Sequence, residues 1–398
     1  MTEPTGNVPA VGGWAPGAVP GLVPAEIVVT EQSAAPAVNA NADQVGEPAV
    51  VESVAASRGP LAMEAVGLNK VFKLGRGATL QAVRDVSFNL YQGAVIALVG
   101  ESGSGKSTVA KLLAGQERPT SGQVIVDGKP IDVRNTRSFR AYKSHVQYVF
   151  QDPFSSLNPV HTVGYALTRP VKLHQPAVRG GRGSRDVTGA VTALLEQVRL
   201  TPAAQFVVKY PHELSGGQRQ RVSFARALAA QPTVLLADEP VSMLDVSIRL
   251  EMLNLLDDLR SRLSLALLYI THDIASARYF ADEVLVMYGG QIVERGPAED
   301  VTQRPAHPYT QLLIASAPDP DNLGSSLKSG NSVQGATVAG KLGSVGPAAT
   351  GCPFSSRCPL ADDKCRRENP ALQLLTPARA AACWRLDVAA PPLASGSY

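Results

Sequence analysis

Three short runs in this chain are apolar at nearly every position: Ala94-Val95-Ile96-Ala97-Leu98-Val99, Val234-Leu235-Leu236-Ala237 and Leu265-Ala266-Leu267-Leu268-Tyr269-Ile270. Runs of this length without polar alternation predict strands of a parallel sheet covered on both faces. Between and around them the apolar positions fall into helical spacing, over Val187–Leu200, Gln218–Ala230 and Glu251–Leu263. Buried strands alternating with helices predict an α/β fold with a mainly parallel sheet. Pro153–Lys209 has no such strand and reads as a helical insertion, with Arg179–Arg185 as a flexible loop inside it. Residues 1–60 have neither period and read as a disordered extension. Residues 318–350, rich in Gly, Ser and Ala, read as a linker before a compact tail at 351–398.

Composition refines this only slightly. Hydrophobic residues make up 44% of the 398, enough for a full core, and no apolar run reaches the length of a membrane span. The N-terminus lacks the basic-then-apolar order of a secretory signal, so the expected location is the cytosol, free or docked on something. The net charge is +3, with Glu3, Glu26, Glu31, Asp43, Glu47 and Glu52 against Arg58 alone in the extension, which leaves the remaining body mildly basic. That suits a polyanionic ligand or an anionic surface. It is too weak for nucleic acid, and no basic stripe interleaved with aromatics appears.

The chemistry lies where the apolar runs end. After the first run, Gly100-Glu101-Ser102-Gly103-Ser104-Gly105-Lys106-Ser107, followed by Thr108, fits the spacing of a phosphate loop opening a helix. Its glycines let backbone N–H groups turn inward on phosphate, and Lys106 and Ser107 are placed for the β/γ-phosphates and Mg²⁺. After the second run, Asp238-Glu239 puts two carboxylates at the sheet's carboxyl edge, Asp238 for the Mg²⁺ shell and Glu239 for an attacking water. After the third comes His272, a candidate for the γ-phosphate and that water. Gln151 offers a neutral amide for Mg²⁺ or water, and Ser215-Gly216-Gly217-Gln218 opens a helix at which a second phosphate could sit.

Gly100–Ser107, Gln151, Leu214–Gln218, Asp238–Glu239, Ser242–Asp245 and His272 occur in the order that resembles ATP-binding cassette (ABC) ATPases, over roughly Ala62–Pro318. The resemblance implies a P-loop cassette at 61–317, with a helical subdomain near 153–230 and a small Cys-rich tail domain. It implies that Ser215–Gln218 faces the ATP of a second cassette, identical or not, in a head-to-tail dimer. It also implies that Asp245 couples the two sites and that Phe72 stacks on adenine, with a plain core position as the weaker alternative for Phe72. Asp152–Pro159 and His307-Pro308-Tyr309-Thr310, the latter following Gly289–Gly296, resemble the oligopeptide/dipeptide/nickel permease branch. The expected function is therefore ATP hydrolysis driving peptide uptake on the cytoplasmic side of a membrane. Two permease subunits and an extracytoplasmic binding protein would be its partners. The alternatives are a soluble cassette acting on ribosomes or DNA, or the motor of a nickel, glutathione or export system.

Cys352, Cys358, Cys365 and Cys383 are the chain's four cysteines. In the cytosol they point to a metal site rather than disulfides. Their spacing lacks the close thiol pairs usual for zinc, and Cys-Pro steps occur in iron–sulfur proteins. The family resemblance favours a [4Fe–4S] cluster over zinc. Nothing in the sequence links these thiols to the phosphate site, so the tail reads as structural.

Overall fold

The computed structural model describes residues 59–75, 78–132, 135–152, 156–175, 184–316 and 350–390. The expected extension up to residue 58, the linker over 318–349, and Pro153–Ser155 lie outside them, as does the expected loop up to residue 183.

Strands are β1 (Leu61–Lys73), β2 (Thr79–Tyr91), β3 (Val95–Val99), β4 (Ser121–Val126), β5 (Lys129–Pro130) and β6 (Val146–Val149). They continue with β7 (Val234–Asp238), β8 (Ala266–Thr271), β9 (Glu283–Tyr288), β10 (Gln291–Pro297), β11 (Gln373–Thr376) and β12 (Arg379–Ala381). The three apolar runs become β3, β7 and β8, and every residue of all three is buried. They sit side by side in an eight-stranded sheet of order β11-β12-β10-β9-β3-β8-β7-β6, parallel from β9 to β6. Alternate residues of β3 face two different cores. Val95, Ala97 and Val99 pack with the helices, while Ile96 and Leu98 pack against a second sheet of order β2-β1-β4-β5.

That second, antiparallel sheet was not expected. Its long strands alternate imperfectly, because β1 carries several register shifts against β2 that break the period of two. The expected helices form with shifted ends, Ser184–Gln197, Gly216–Leu228 and Val246–Leu263. Ser184 and Arg185, expected in the loop, already belong to the first of these. The insertion is helical among the described residues, adding Val163–His174 and Ala203–Val207.

The cysteine-bearing segment joins the eight-stranded sheet directly. β12 pairs with β10, and β11 with β12. Beneath this seam Arg379 donates to Glu294 at 2.9 Å, with both side chains almost fully buried. The same carboxylate accepts from the N–H groups of Ala306 and His307, at 2.8 Å each. A buried charge with this many partners is tolerated, whereas loss of one partner would strand the other.

Candidate ATP site

The loop Gly100–Gly105 connects β3 to the helix Lys106–Leu113. Gly105 sits at φ 109°, and a Cβ there would lie 2.4 Å from the Ala82 carbonyl oxygen. A Cβ on Gly100 would come within 2.2 Å of the Met287 oxygen, so the loop can close only on glycine. No acidic residue occupies the helix's first turn, which leaves its positive end free for an anion. Lys106 is buried, and its ammonium donates to the carbonyls of Gly100 and Glu101 at 2.7 and 2.9 Å. Burial lowers its pKa, an effect opposed by the charges of Glu239, Asp238 and Glu101. The Ser104 hydroxyl is buried without a partner. A glycine-restricted loop at a helix start, a buried cation and an orphaned hydroxyl fit a polyphosphate.

Two carboxylates end β7 beside this loop. Asp238 accepts from Ser107 Oγ at 3.2 Å on one oxygen and from Tyr148 OH at 2.6 Å on the other. This joins two oxygen donors, Ser107 and Asp238, as a hard divalent cation requires, and fits Mg²⁺. Glu239 follows with φ 44°, a conformation uncommon outside glycine. Its N–H is held by the Ile270 carbonyl at 2.9 Å. Strain of this kind persists only where surrounding bonds fix it, and it gathers at functional sites. One Glu239 oxygen accepts from Gln151 Nε2 at 3.1 Å and lies 3.2 Å from His272 Nδ1. Glu239, Gln151 and His272, distant in sequence, therefore meet at one oxygen.

Ser215–Gln218 is built differently. Ser215 Oγ accepts from Gln218 N at 3.3 Å, and the Gln218 side chain accepts from Ser215 N at 3.0 Å, a reciprocal helix cap. Among the described residues no hydrogen bond or ion pair connects this helix start to Gly100–Ser107, and Ser215 is exposed. Asp245 is exposed at the start of Val246–Leu263 and makes no side-chain cap. Phe72 is half-buried at the end of β1, belongs to neither core, and carries the Lys70 ammonium 4.7 Å from its ring centre.

Two contacts at the candidate site escaped the sequence reading. Tyr148 lies three residues before Gln151 and looks like any strand aromatic, until β6 pairs with β7. Burial, followed by the Asp238 charge, pushes its phenol pKa upward, so it remains a donor. The second is Arg357, whose guanidinium binds Glu101 of the phosphate loop. The tail and the phosphate site, unconnected in sequence, are in contact.

The four cysteines line one pocket with His307, Phe354 and Trp384. Among the described residues, however, no group of three or more His, Cys, Asp or Glu side chains is arranged to hold a metal ion. The expected iron–sulfur site at Cys352, Cys358, Cys365 and Cys383 thus gains no support from this arrangement.

Comparison with known proteins agrees with the geometry. The family described as "ABC transporter" matches residues 83–242, and "Oligopeptide/dipeptide transporter, C-terminal region" matches 293–365. The chain is 39% identical over 295 residues to the oligopeptide transport ATP-binding protein OppF of Escherichia coli, covering 74% of this chain and 85% of OppF. The chain belongs to the ABC transporter family of ATP-binding subunits. A Brucella ovis protein named as a peptide import ATP-binding protein is 40% identical, covering 81% of this chain and 97% of that one. The ATP-binding cassette MJ0796, solved as a dimer in a post-hydrolysis state with ADP and Pi, superposes with a TM-score of 0.53 at 27% identity. It covers 59% of this chain and 98% of its own. The chain is thus an ABC ATPase of the oligopeptide/dipeptide type.

Tyr148→Phe removes the bond that orients Asp238. Loss of such an outer partner typically costs about 10- to 100-fold in metal affinity or activity. The Mg²⁺ concentration for half-maximal ATPase activity is expected to rise about tenfold, read from a Mg²⁺ titration at saturating ATP.

Proposed function

We propose that this subunit powers peptide uptake by closing around ATP with a second cassette and reopening on hydrolysis. The convergence of Gln151 and His272 on one oxygen of Glu239, beside the Lys106 loop, carries the reading. Gly100–Thr108 wraps the phosphates, Lys106 binds the β- and γ-oxygens, and Phe72 stacks on adenine. Mg²⁺, held by Ser107, Gln151 and Asp238, supplies charge neutralisation when bound. Glu239 accepts a hydrogen bond from water and orients it toward the γ-phosphorus. The water oxygen bonds to phosphorus as its proton passes to Glu239, the bond to the bridging oxygen breaks, and ADP leaves with phosphate as the other product. His272 contacts the transferring phosphoryl group and holds Glu239 in place.

Ser215–Gln218 serves the partner's nucleotide. Its exposed serine and its self-contained cap support that role, since neither is engaged with this chain's own loop. Asp245 relays between the two sites. No helix among the described residues is long and apolar enough to cross a membrane. Peripheral docking on two permease subunits at the cytoplasmic face fits this, with Asp152–Pro159 as the receiving segment and an extracytoplasmic binding protein delivering solute. The names of the relatives support peptide as that solute.

For the thiols, a [4Fe–4S] cluster remains the finer reading, resting on the Cys-Pro steps at Cys352 and Cys358 and on the family resemblance. Burial pushes Cys352 up to about 11 and also raises Cys365 and Cys383. Those three thiols, when free, stay protonated near neutrality, and loading must release protons.

Glu239→Gln keeps the shape and removes the carboxylate. ATP binding should persist while turnover falls by about 10²- to 10⁴-fold, the usual contribution of such a group. Hydrolysis at the wild-type rate by this variant would remove Glu239 from its role. Separately, protein purified without oxygen should contain about four iron and four acid-labile sulfide per chain. Folded, active protein with neither rejects the cluster.

A further inference from the structure

A carboxylate inside a polyphosphate loop is an electrostatic liability, and Glu101 is one. It follows Gly100 directly, and its charge is felt at Lys106. Arg357 meets it with two parallel bonds, Nη1 to Oε2 at 2.8 Å and Nη2 to Oε1 at 2.9 Å. Bidentate guanidinium–carboxylate pairing fixes orientation as well as charge. The partners lie 256 residues apart in sequence.

Arg357 is itself held in place. Its guanidinium lies 5.8 Å from the Tyr288 ring centre and 5.6 Å from that of Phe354. Phe354 is buried, edge-on to Tyr288 at 5.3 Å and 5.5 Å from Tyr309. The Tyr309 hydroxyl accepts from the Glu101 N–H at 2.8 Å, so the tail side grips both the backbone and the side chain of this residue. The turn Gly289–Gly290 completes the contact: Gly290 N donates to the Ser104 carbonyl at 2.9 Å, and Pro353 lies so close to Gly289 that a Cβ there would sit 2.8 Å away.

We propose that Arg357 is the counter-charge of the phosphate loop, by which the C-terminal segment sets the affinity for ATP without touching the nucleotide. The guanidinium neutralises Glu101, which would otherwise repel the incoming phosphates. Arg357 precedes Cys358 and follows Cys352 in the same short loop. Whatever orders the thiol pocket therefore orders the guanidinium as well. This rests on Gly100–Ser107 being the ATP loop, as proposed above.

The test compares ATPase kinetics of the assembled transporter carrying this full-length chain as wild type, Arg357→Ala, Glu101→Gln or the double variant. A half-exposed pair has modest worth, so Arg357→Ala should raise KM for ATP about three- to fivefold. Its kcat should stay within about twofold, because Arg357 contacts no reacting atom. Adding Glu101→Gln to Arg357→Ala removes the uncompensated charge and should return KM to within about twofold of wild type. An unchanged KM in Arg357→Ala overturns the proposal. So does a double variant as weak as the single, which would make Arg357 a structural prop. Should Arg357→Ala fail to fold, Arg357→Gln enters the same comparison. Failure of the ATP-loop reading itself is distinguishable, since wild type would then show no saturable ATP dependence.

Discussion

The parallel register of β3, β8 and β7 is the constraint on which everything else depends. Val99 is level with Thr271, and Asp238 with Ile270. The residues that follow, Gly100, His272 and Glu239, therefore leave the sheet at one edge. β6 pairs with β7 through Val149 and Ala237, which brings Gln151 to the same edge. A slip of one residue in any pair would turn Asp238 or Tyr148 to the opposite face and separate Asp238 from Ser107. Full burial of β3, β7 and β8 defends that register, because every slipped pairing would disturb two packed cores.

Charge is managed on this scaffold by pairing rather than by exclusion. Lys106 is buried against Asp238, Glu239 and Glu101, three carboxylates that would be costly together without it. Each carboxylate has a partner of its own: Ser107 and Tyr148 for Asp238, Gln151 and His272 for Glu239, Arg357 for Glu101. A polyphosphate with its cation enters a site whose donors and acceptors are already oriented, which lowers the reorganisation needed for the reaction. The buried Arg379–Glu294 pair does the corresponding work at the far side of the sheet, where it seats the segment carrying Arg357.

Most of the candidate site's edge was legible in the sequence, because that edge is written locally. A fully apolar run followed by Gly100–Ser107, by Asp238-Glu239 or by His272 is visible within a dozen residues. The antiparallel sheet was illegible because bulges in β1 break its alternation. Tyr148 was hidden because its role exists only across the β6–β7 pairing. Arg357 was hidden for a related reason: its partner is far along the chain, and no spacing rule connects a guanidinium in a cysteine-bearing loop to a glutamate in a phosphate loop. The tail's attachment through β12 was equally invisible, since Arg379–Ala381 is too short to announce itself as a strand.

The central claim is that each ATP site is divided, with Lys106 and Ser215 of one chain serving different nucleotides. MgATP binding to the dilute full-length chain tests this directly, with Lys106→Ala and Ser215→Arg compared side by side. The account predicts that Lys106→Ala weakens binding at least about tenfold. It predicts that Ser215→Arg leaves binding within about twofold, yet lowers turnover in the assembled transporter by about 10²-fold or more, as loss of an oriented phosphate contact should. If Ser215→Arg weakens binding to the isolated chain as much as Lys106→Ala does, both residues serve one nucleotide and the account is contradicted.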